Sequence, residues 1–134
     1  MPDLGMSAKL SCANLKDAEE LVAEELKKEG FGVLTEIDVA ETLKKKIDVD
    51  FRPYKILGAC NPTLAHKALE LAPDVGLLLP CNVVLQKQDN EIRVSIIDPT
   101  KMANVVPTNE LEPLMSEAKE KLQRVVDSLA RAEG

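Results

Sequence analysis

Apolar positions along the chain recur with two alternating periods, which predict strands and helices in turn. Alternation of apolar and polar residues predicts five strands, at Met6–Cys12, Gly32–Asp38, Tyr54–Ala59, Gly76–Gln88 and Glu91–Ile97. Apolar residues at helical spacing follow each of the first three strands, and Asn14, Asp38 and Asn61 are typical N-cap residues for those helices. Pro80 interrupts the fourth strand and favours a sheet edge or a bulge there.

A long C-terminal helix is predicted over about residues 110–132. Its apolar positions are spaced alternately by three and four residues: Met115, Ala118, Leu122, Val125, Leu129 and Ala132. A seam of this kind packs across the protein's own sheet or against a second subunit. Because it is too short for a stable coiled coil alone, we expect packing within the subunit.

The order of elements ends in a hairpin and a helix, which favours an α+β protein. We expect a two-layer sandwich in which an antiparallel or mixed sheet carries helices on one face. The length of 134 residues fits a single domain over residues 1–134, with a core over about residues 6–105.

Composition excludes several classes of partner. Seventeen basic against 23 acidic residues give a net charge of −6, so we expect no nucleic-acid partner. No apolar run is long enough to cross a bilayer, and the N-terminus lacks the features of a signal peptide. The three widely spaced cysteines, Cys12, Cys60 and Cys81, do not form a disulfide framework. These features predict a reduced, cytoplasmic protein with no membrane partner.

The strongest candidate for chemistry is the motif Gly58-Ala-Cys-Asn-Pro62. Cys60 is predicted at the end of a strand and just before a helix N-terminus, where free N–H groups stabilise a thiolate. A cysteine there can act as a nucleophile, a redox centre or a soft metal ligand. The alternative is a small buried residue at a tight joint between strand and helix.

Cys81 lies in a second motif, Leu79-Pro-Cys-Asn-Val83, that also pairs a cysteine with an asparagine and a proline. If the two strands are neighbours, Cys60 and Cys81 come within range of a shared ligand or a disulfide. Asn61 and Asn82 are then polar members of the same site. Their alternative roles are structural, Asn61 as a helix cap and Asn82 in a strand bulge.

Three further polar side chains are weaker candidates. Glu36 and Asp38 lie two residues apart on one strand, hence on one face, and paired carboxylates serve acid–base chemistry or bind a hard cation. Their alternatives are solvent exposure for Glu36 and helix capping for Asp38. His66 is expected on an exposed helix face, and its spacing from Cys60 matches no metal pattern. We therefore predict no metal site, and the sequence specifies no cofactor.

Several ordered segments resemble the bacterial and archaeal family known as domain of unknown function 302. The segments are Gly30–Val39, Asp50–Pro62, Gly76–Val84 and Asp98-Pro99. The resemblance spans about residues 6–103. It implies a small α+β sandwich of the TATA-binding-protein-like type, often dimeric, and it implies no activity. A fold shared with a DNA-binding protein does not transfer its function.

Three functions remain open at this point. The first is a dimeric module that binds a small ligand near Gly58–Pro62. The second is a thiol-dependent redox protein or enzyme that uses Cys60 with Cys81 as its partner. The third is a structural or interaction subunit that works through its dimer surface and C-terminal helix. The sequence shows no catalytic triad, so whether the protein is an enzyme stays undecided.

Overall fold

The computed structural model describes residues 4–12, 14–102 and 109–133, with residues 132 and 133 described by their backbone alone. In these residues five strands form one sheet in the order β1-β5-β4-β3-β2, and every neighbouring pair is antiparallel. The strands are β1 Gly5–Leu10, β2 Gly32–Asp38, β3 Tyr54–Cys60, β4 Cys81–Gln88 and β5 Glu91–Ile97. The fold is α+β, as predicted, with an entirely antiparallel sheet.

Within the described residues, four α-helices accompany the sheet: α1 Leu15–Lys28, α2 Val39–Ile47, α3 Pro62–Leu71 and α4 Glu112–Glu133. Short 3-10 helices cover Pro73–Leu78, Pro99–Met102 and Asn109–Leu111. The three predicted N-caps are confirmed. The side-chain oxygens of Asn14, Asp38 and Asn61 accept the backbone N–H of the residue three positions later, at 2.9, 2.9 and 3.2 Å. Each cap satisfies a donor that would otherwise lack an intrahelical partner.

The core lies between one face of the sheet and helices α1 and α4. Leu57, Val83 and Val94 of the sheet are completely buried, as are Val22 and Leu26 of α1. The predicted seam of α4 is confirmed as buried at five positions, namely Met115, Ala118, Leu122, Val125 and Leu129. Ala132 lies outside the residues whose side chains are described. The long helix therefore packs within its own subunit.

The strand predicted over Gly76–Gln88 is wrong in its first five residues. A 3-10 helix occupies Pro73–Leu78, and β4 begins only at Cys81. Leu77 is 87% exposed, although a strand over Gly76–Gln88 would place it on the same face as the buried Cys81, Val83 and Leu85. Pro80 precedes the strand, where it displaces no ladder hydrogen bond. β4 itself lies in the interior of the sheet, between β3 and β5. Pro80 therefore marks neither a sheet edge nor a bulge.

The opposite face of the sheet carries small polar and charged side chains on β1 and β5. The Ser7 and Ser95 hydroxyls lie 3.0 Å apart, and Arg93 donates to the Ser7 hydroxyl at 3.2 Å.

No helix in the described part of the chain is long and apolar enough to cross a membrane.

Candidate functional site

Strands β3 and β4 are neighbours, so the condition for bringing the two cysteine motifs together is met. Ala59 faces Cys81 across the ladder, and Cys60 is the next residue of β3. Cys81 is buried and Cys60 half-buried. Both thiols are free, so no disulfide joins them.

An apolar cavity of about 70 Å³ lies beside these two cysteines, at the end of the sheet where α3 begins. Cys60 and Cys81 both line it. The helices contribute apolar walls, among them Leu64 and Ala68 from α3, Val75 from the 3-10 helix Pro73–Leu78, and Met115 from α4. Met102 completes this part of the wall. The cavity is therefore assembled from segments far apart in the sequence.

Asn61 also lines the cavity, and its side chain is held by two structural hydrogen bonds. Its Oδ1 accepts the Leu64 N–H at 3.2 Å, and its Nδ2 donates to the Glu29 carbonyl at 3.4 Å. The amide thus caps α3 and ties it to the residue that ends α1. This is the capping role predicted as the alternative for Asn61, and it fixes the helix that forms one wall of the cavity.

Burial, with a smaller contribution from the neighbouring Cys60, raises the pKa of the Cys81 thiol to about 11. A desolvated thiolate is unfavourable, so Cys81 stays protonated near neutral pH. A protonated thiol is a weak nucleophile and behaves as a small apolar group. At Cys81 the site favours packing over thiol chemistry.

Close packing explains why the first motif has a glycine at position 58. A Cβ atom at Gly58 would overlap the Thr35 hydroxyl and lie 2.5 Å from Cγ of Pro80. Pro80 of the second motif therefore occupies the space over Gly58 of the first. The two motifs are complementary parts of one joint, next to the cavity.

A residue that the sequence did not indicate as a site residue, Asp98, is the one buried charged side chain in the part of the chain that the structure describes. Its Oδ1 accepts the N–H and the hydroxyl of Thr100 at 2.9 and 2.6 Å, and its Oδ2 lies 3.1 Å from Lys119 Nζ. Burial alone would raise the pKa of Asp98, but these partners bring it below its ordinary value. In the sequence, Asp98-Pro99 was notable only as one segment of the family resemblance.

The remaining predicted site residues lie away from the cavity lining. Glu36 on β2 pairs with Lys55, which also contacts Glu19 at 2.9 Å. The hydrogen bond from Lys55 lowers the pKa of the Glu36 carboxyl. Asp38 caps α2, so each carboxylate has a structural partner.

Asn82 and His66 are exposed at separate places. Asn82 lies opposite Gly58 in a continuous register of β3 and β4, so the bulge predicted as its alternative role is wrong. The His66 Nε2 lies 3.1 Å from a Glu70 carboxylate oxygen one helical turn away, and both side chains are largely exposed. Within residues 4–12, 14–102 and 109–133, no group of three or more His, Cys, Asp and Glu side chains is arranged to hold a metal ion.

Fold and site together define a small α+β protein with an antiparallel sheet and an apolar cavity at the end of its central strands. The model of the family described as domain of unknown function DUF302 matches residues 7–129, and the chain belongs to that family. No curated protein matches it. A crystal structure of an uncharacterised conserved DUF302 protein from Bacillus stearothermophilus is similar, with 29% identity and a TM-score of 0.84. That match covers 92% of this chain and 96% of the other.

Proposed function

We propose that this protein is a dimeric module that binds a small apolar molecule, or the apolar end of one, in the cavity beside Gly58–Pro62. The cavity itself carries the proposal. At about 70 Å³ it is open to a group of only a few carbon atoms. An apolar cavity of about 150 Å³, twice that volume, is enough to hold benzene.

The lining supports binding rather than catalysis. No Asp, Glu, His, Lys or Arg is among the described residues that line the cavity. It therefore offers an apolar ligand dispersion contacts, and its described lining supplies no carboxylate, imidazole, ammonium or guanidinium group for acid–base chemistry. Met102 and Met115 are flexible side chains that adjust to the shape of what they contact. The raised pKa of Cys81 makes it a poor attacking thiol, which weighs against a redox role in which Cys81 is the nucleophile.

A series of straight-chain alcohols from methanol to 1-hexanol tests the proposal. Each added methylene that enters the cavity should contribute about 0.8 kcal/mol, a rise of about fourfold in affinity, until the cavity is full. Methyl NMR spectra report the site, because Leu64, Ala68, Val75 and Met115 surround it. Their signals should shift first, before those of exposed methyl groups such as Leu77.

Two matched variants make the test specific. Ala68→Leu places three extra carbon atoms into the cavity and should flatten the dependence on chain length. Ala130→Leu adds the same atoms at an exposed position of α4 and should leave the series unchanged. Shifts spread over exposed methyl groups, or a series that Ala68→Leu leaves intact, would contradict ligand binding in this cavity.

A further inference from the structure

The face of the sheet that points away from helices α1 and α4 carries a groove of about 350 Å³, which we call the outer groove. Its volume compares with about 70 Å³ for the cavity beside Gly58–Pro62 and lies in the range of small-molecule sites, about 300–1,000 Å³. No described residue lines both. The outer groove is therefore separate from the site of the proposed function.

Four side chains form one row across this face of the sheet. The strand register places Gln86 of β4 opposite both Tyr54 of β3 and Arg93 of β5. Lys9 of β1 lies opposite Arg93 on the other side. Residues opposite each other in an antiparallel sheet have Cβ atoms about 4.5–5.5 Å apart. The Gln86 amide and the Arg93 guanidinium are therefore neighbours in the groove.

The hydrogen bonds of this row leave N–H groups available. Arg52 donates its Nε–H to Gln86 Oε1 at 3.1 Å, so the NH₂ group of the Gln86 amide stays free to donate. Arg93 donates one N–H to the Ser7 hydroxyl at 3.2 Å and has further N–H groups on the same guanidinium. In the part of the chain that the structure describes, neither arginine has a carboxylate within ion-pair distance. The row thus presents a cation and hydrogen-bond donors with no negative partner.

Acidic side chains are scarce around the outer groove, although the chain contains 23 of them. In β1, β3, β4 and β5, Glu91 is the one carboxylate at a position that alternation assigns to this face. A Glu91 oxygen lies 3.8 Å from Lys9 Nζ, so this carboxylate has a cation of its own. Arg93 is the one charged residue among the described residues that line the groove. In a protein of net charge −6 this groove is positive, and the complementary ligand is an anion.

Apolar side chains lie next to the cation. Val84 of β4 is opposite Ser95 of β5, in the row beside that of Arg93, and both are half-buried. Ile97 and Tyr54 also line the groove. A ligand whose anionic group meets Arg93 therefore lays its body on apolar surface. A single guanidinium suits a single negative charge, and its planar fork matches a carboxylate.

We propose that the outer groove binds an organic carboxylate with an apolar body. The Arg93 guanidinium pairs with the carboxylate, and the Gln86 amide donates a further hydrogen bond to it. Val84 and Ile97 contact the body of the molecule.

Benzoate and benzamide are matched probes for this site, because both carry a planar group on the same ring and only benzoate is charged at neutral pH. Backbone-amide NMR spectra at low ionic strength follow each titration. The signals of Ser7, Arg93 and Ser95 should shift first. We expect benzoate to bind at least tenfold more tightly than benzamide, and more tightly than inorganic phosphate, which has no apolar body.

Two variants of equal charge assign the binding to the groove. Arg93→Gln removes its cation, and Arg131→Gln removes an exposed cation from α4 as the control. Both arginines are exposed, so the fold should survive, which circular dichroism checks. We expect Arg93→Gln to lower the affinity for benzoate at least tenfold and Arg131→Gln to leave it unchanged.

Three outcomes would overturn the inference. Equal binding of benzoate and benzamide by the wild type means that the groove does not select an anion. Equal affinity of the Arg93→Gln and Arg131→Gln variants for benzoate means that Arg93 does not hold it. Tighter binding of phosphate than of benzoate contradicts a carboxylate with an apolar body. Ligand binding in the cavity beside Gly58–Pro62 is judged separately by the alcohol series.

Discussion

The Asp98 carboxylate lies 3.1 Å from the Lys119 ammonium and joins the residue after β5 to helix α4. The same carboxylate accepts two hydrogen bonds from Thr100, within the 3-10 helix Pro99–Met102. Both Pro99 and Met102 line the cavity. One buried carboxylate therefore fixes the segment that forms one wall of the site.

Replacing Asp98 by Asn should destabilise the protein by about 1–3 kcal/mol at neutral pH, because Lys119 loses its partner and one acceptor becomes a donor. Urea denaturation measures the loss. Asp127→Asn, an exposed carboxylate on α4, is the control and should change stability by less than about 0.5 kcal/mol.

The same variant has a defined pH dependence. The pKa of Asp98 is lower in the folded protein than in the unfolded chain. Its contribution is therefore complete above the unfolded value of about 3.9 and is lost as the pH falls through the lower folded value. The difference in unfolding free energy between wild type and Asp98→Asn should narrow in acid. A difference that stays constant down to the lowest measurable pH contradicts the assignment.

The two cysteines of the motifs should differ in their contribution to stability. Cys81 is 8% exposed within the core, so Cys81→Ser buries a hydroxyl among apolar groups and should cost about 1–3 kcal/mol. Cys60 is only half-buried, and Cys60→Ser should cost less than about 1 kcal/mol. Thermal and urea unfolding of the two variants compare these losses. Equal losses would remove the distinction between the cysteines.

Alkylation by iodoacetamide should separate the thiols by their reactivity. With a pKa of about 11, Cys81 is almost entirely protonated near neutral pH, and its rate should keep rising up to strongly alkaline pH. Peptide mass spectrometry of the native protein follows both cysteines in one sample, with Cys60 as the internal comparison. A Cys81 rate that levels off near pH 8.5, the region of an ordinary thiol, is incompatible with the burial described here.

Gly58→Ala should destabilise the protein by about 1–3 kcal/mol, because the added methyl group meets Thr35 and Pro80. Gly76→Ala is the matched control, since its new Cβ would have no neighbour closer than 3.8 Å. We expect the control to unfold within about 0.5 kcal/mol of the wild type. If Gly58→Ala is equally harmless, the two motifs are not packed against each other as the structure places them.

Much of the local structure was predictable from the sequence because its signals are local. Asn14, Asp38 and Asn61 precede apolar residues at helical spacing, and each caps the helix that follows. The seam of α4 was predicted from its spacing, and its buried residues follow that spacing. The strand predicted over Gly76–Gln88 was wrong at its start because three consecutive leucines, Leu77 to Leu79, fit a strand and a short 3-10 helix equally well before Pro80.

The site was less predictable because it depends on contacts between distant segments. The two cysteine motifs meet because Ala59 pairs with Cys81 across the sheet. Neither motif contains a signal that predicts this pairing. The ion pair of Asp98 has its partner 21 positions away, on another element. The cavity joins residues from Phe31 to Ala118. Composition and periodicity carry no information on such distances.

The most direct test of the central claim is a crystal of this protein held under xenon pressure. Xenon enters apolar cavities that water leaves empty. The account predicts xenon density inside the cavity bounded by Leu64, Val75 and Met115, and its loss in crystals of Ala68→Leu. Density at surface positions alone, with this cavity unfilled in the wild type, would contradict a binding site for a small apolar ligand beside Gly58–Pro62.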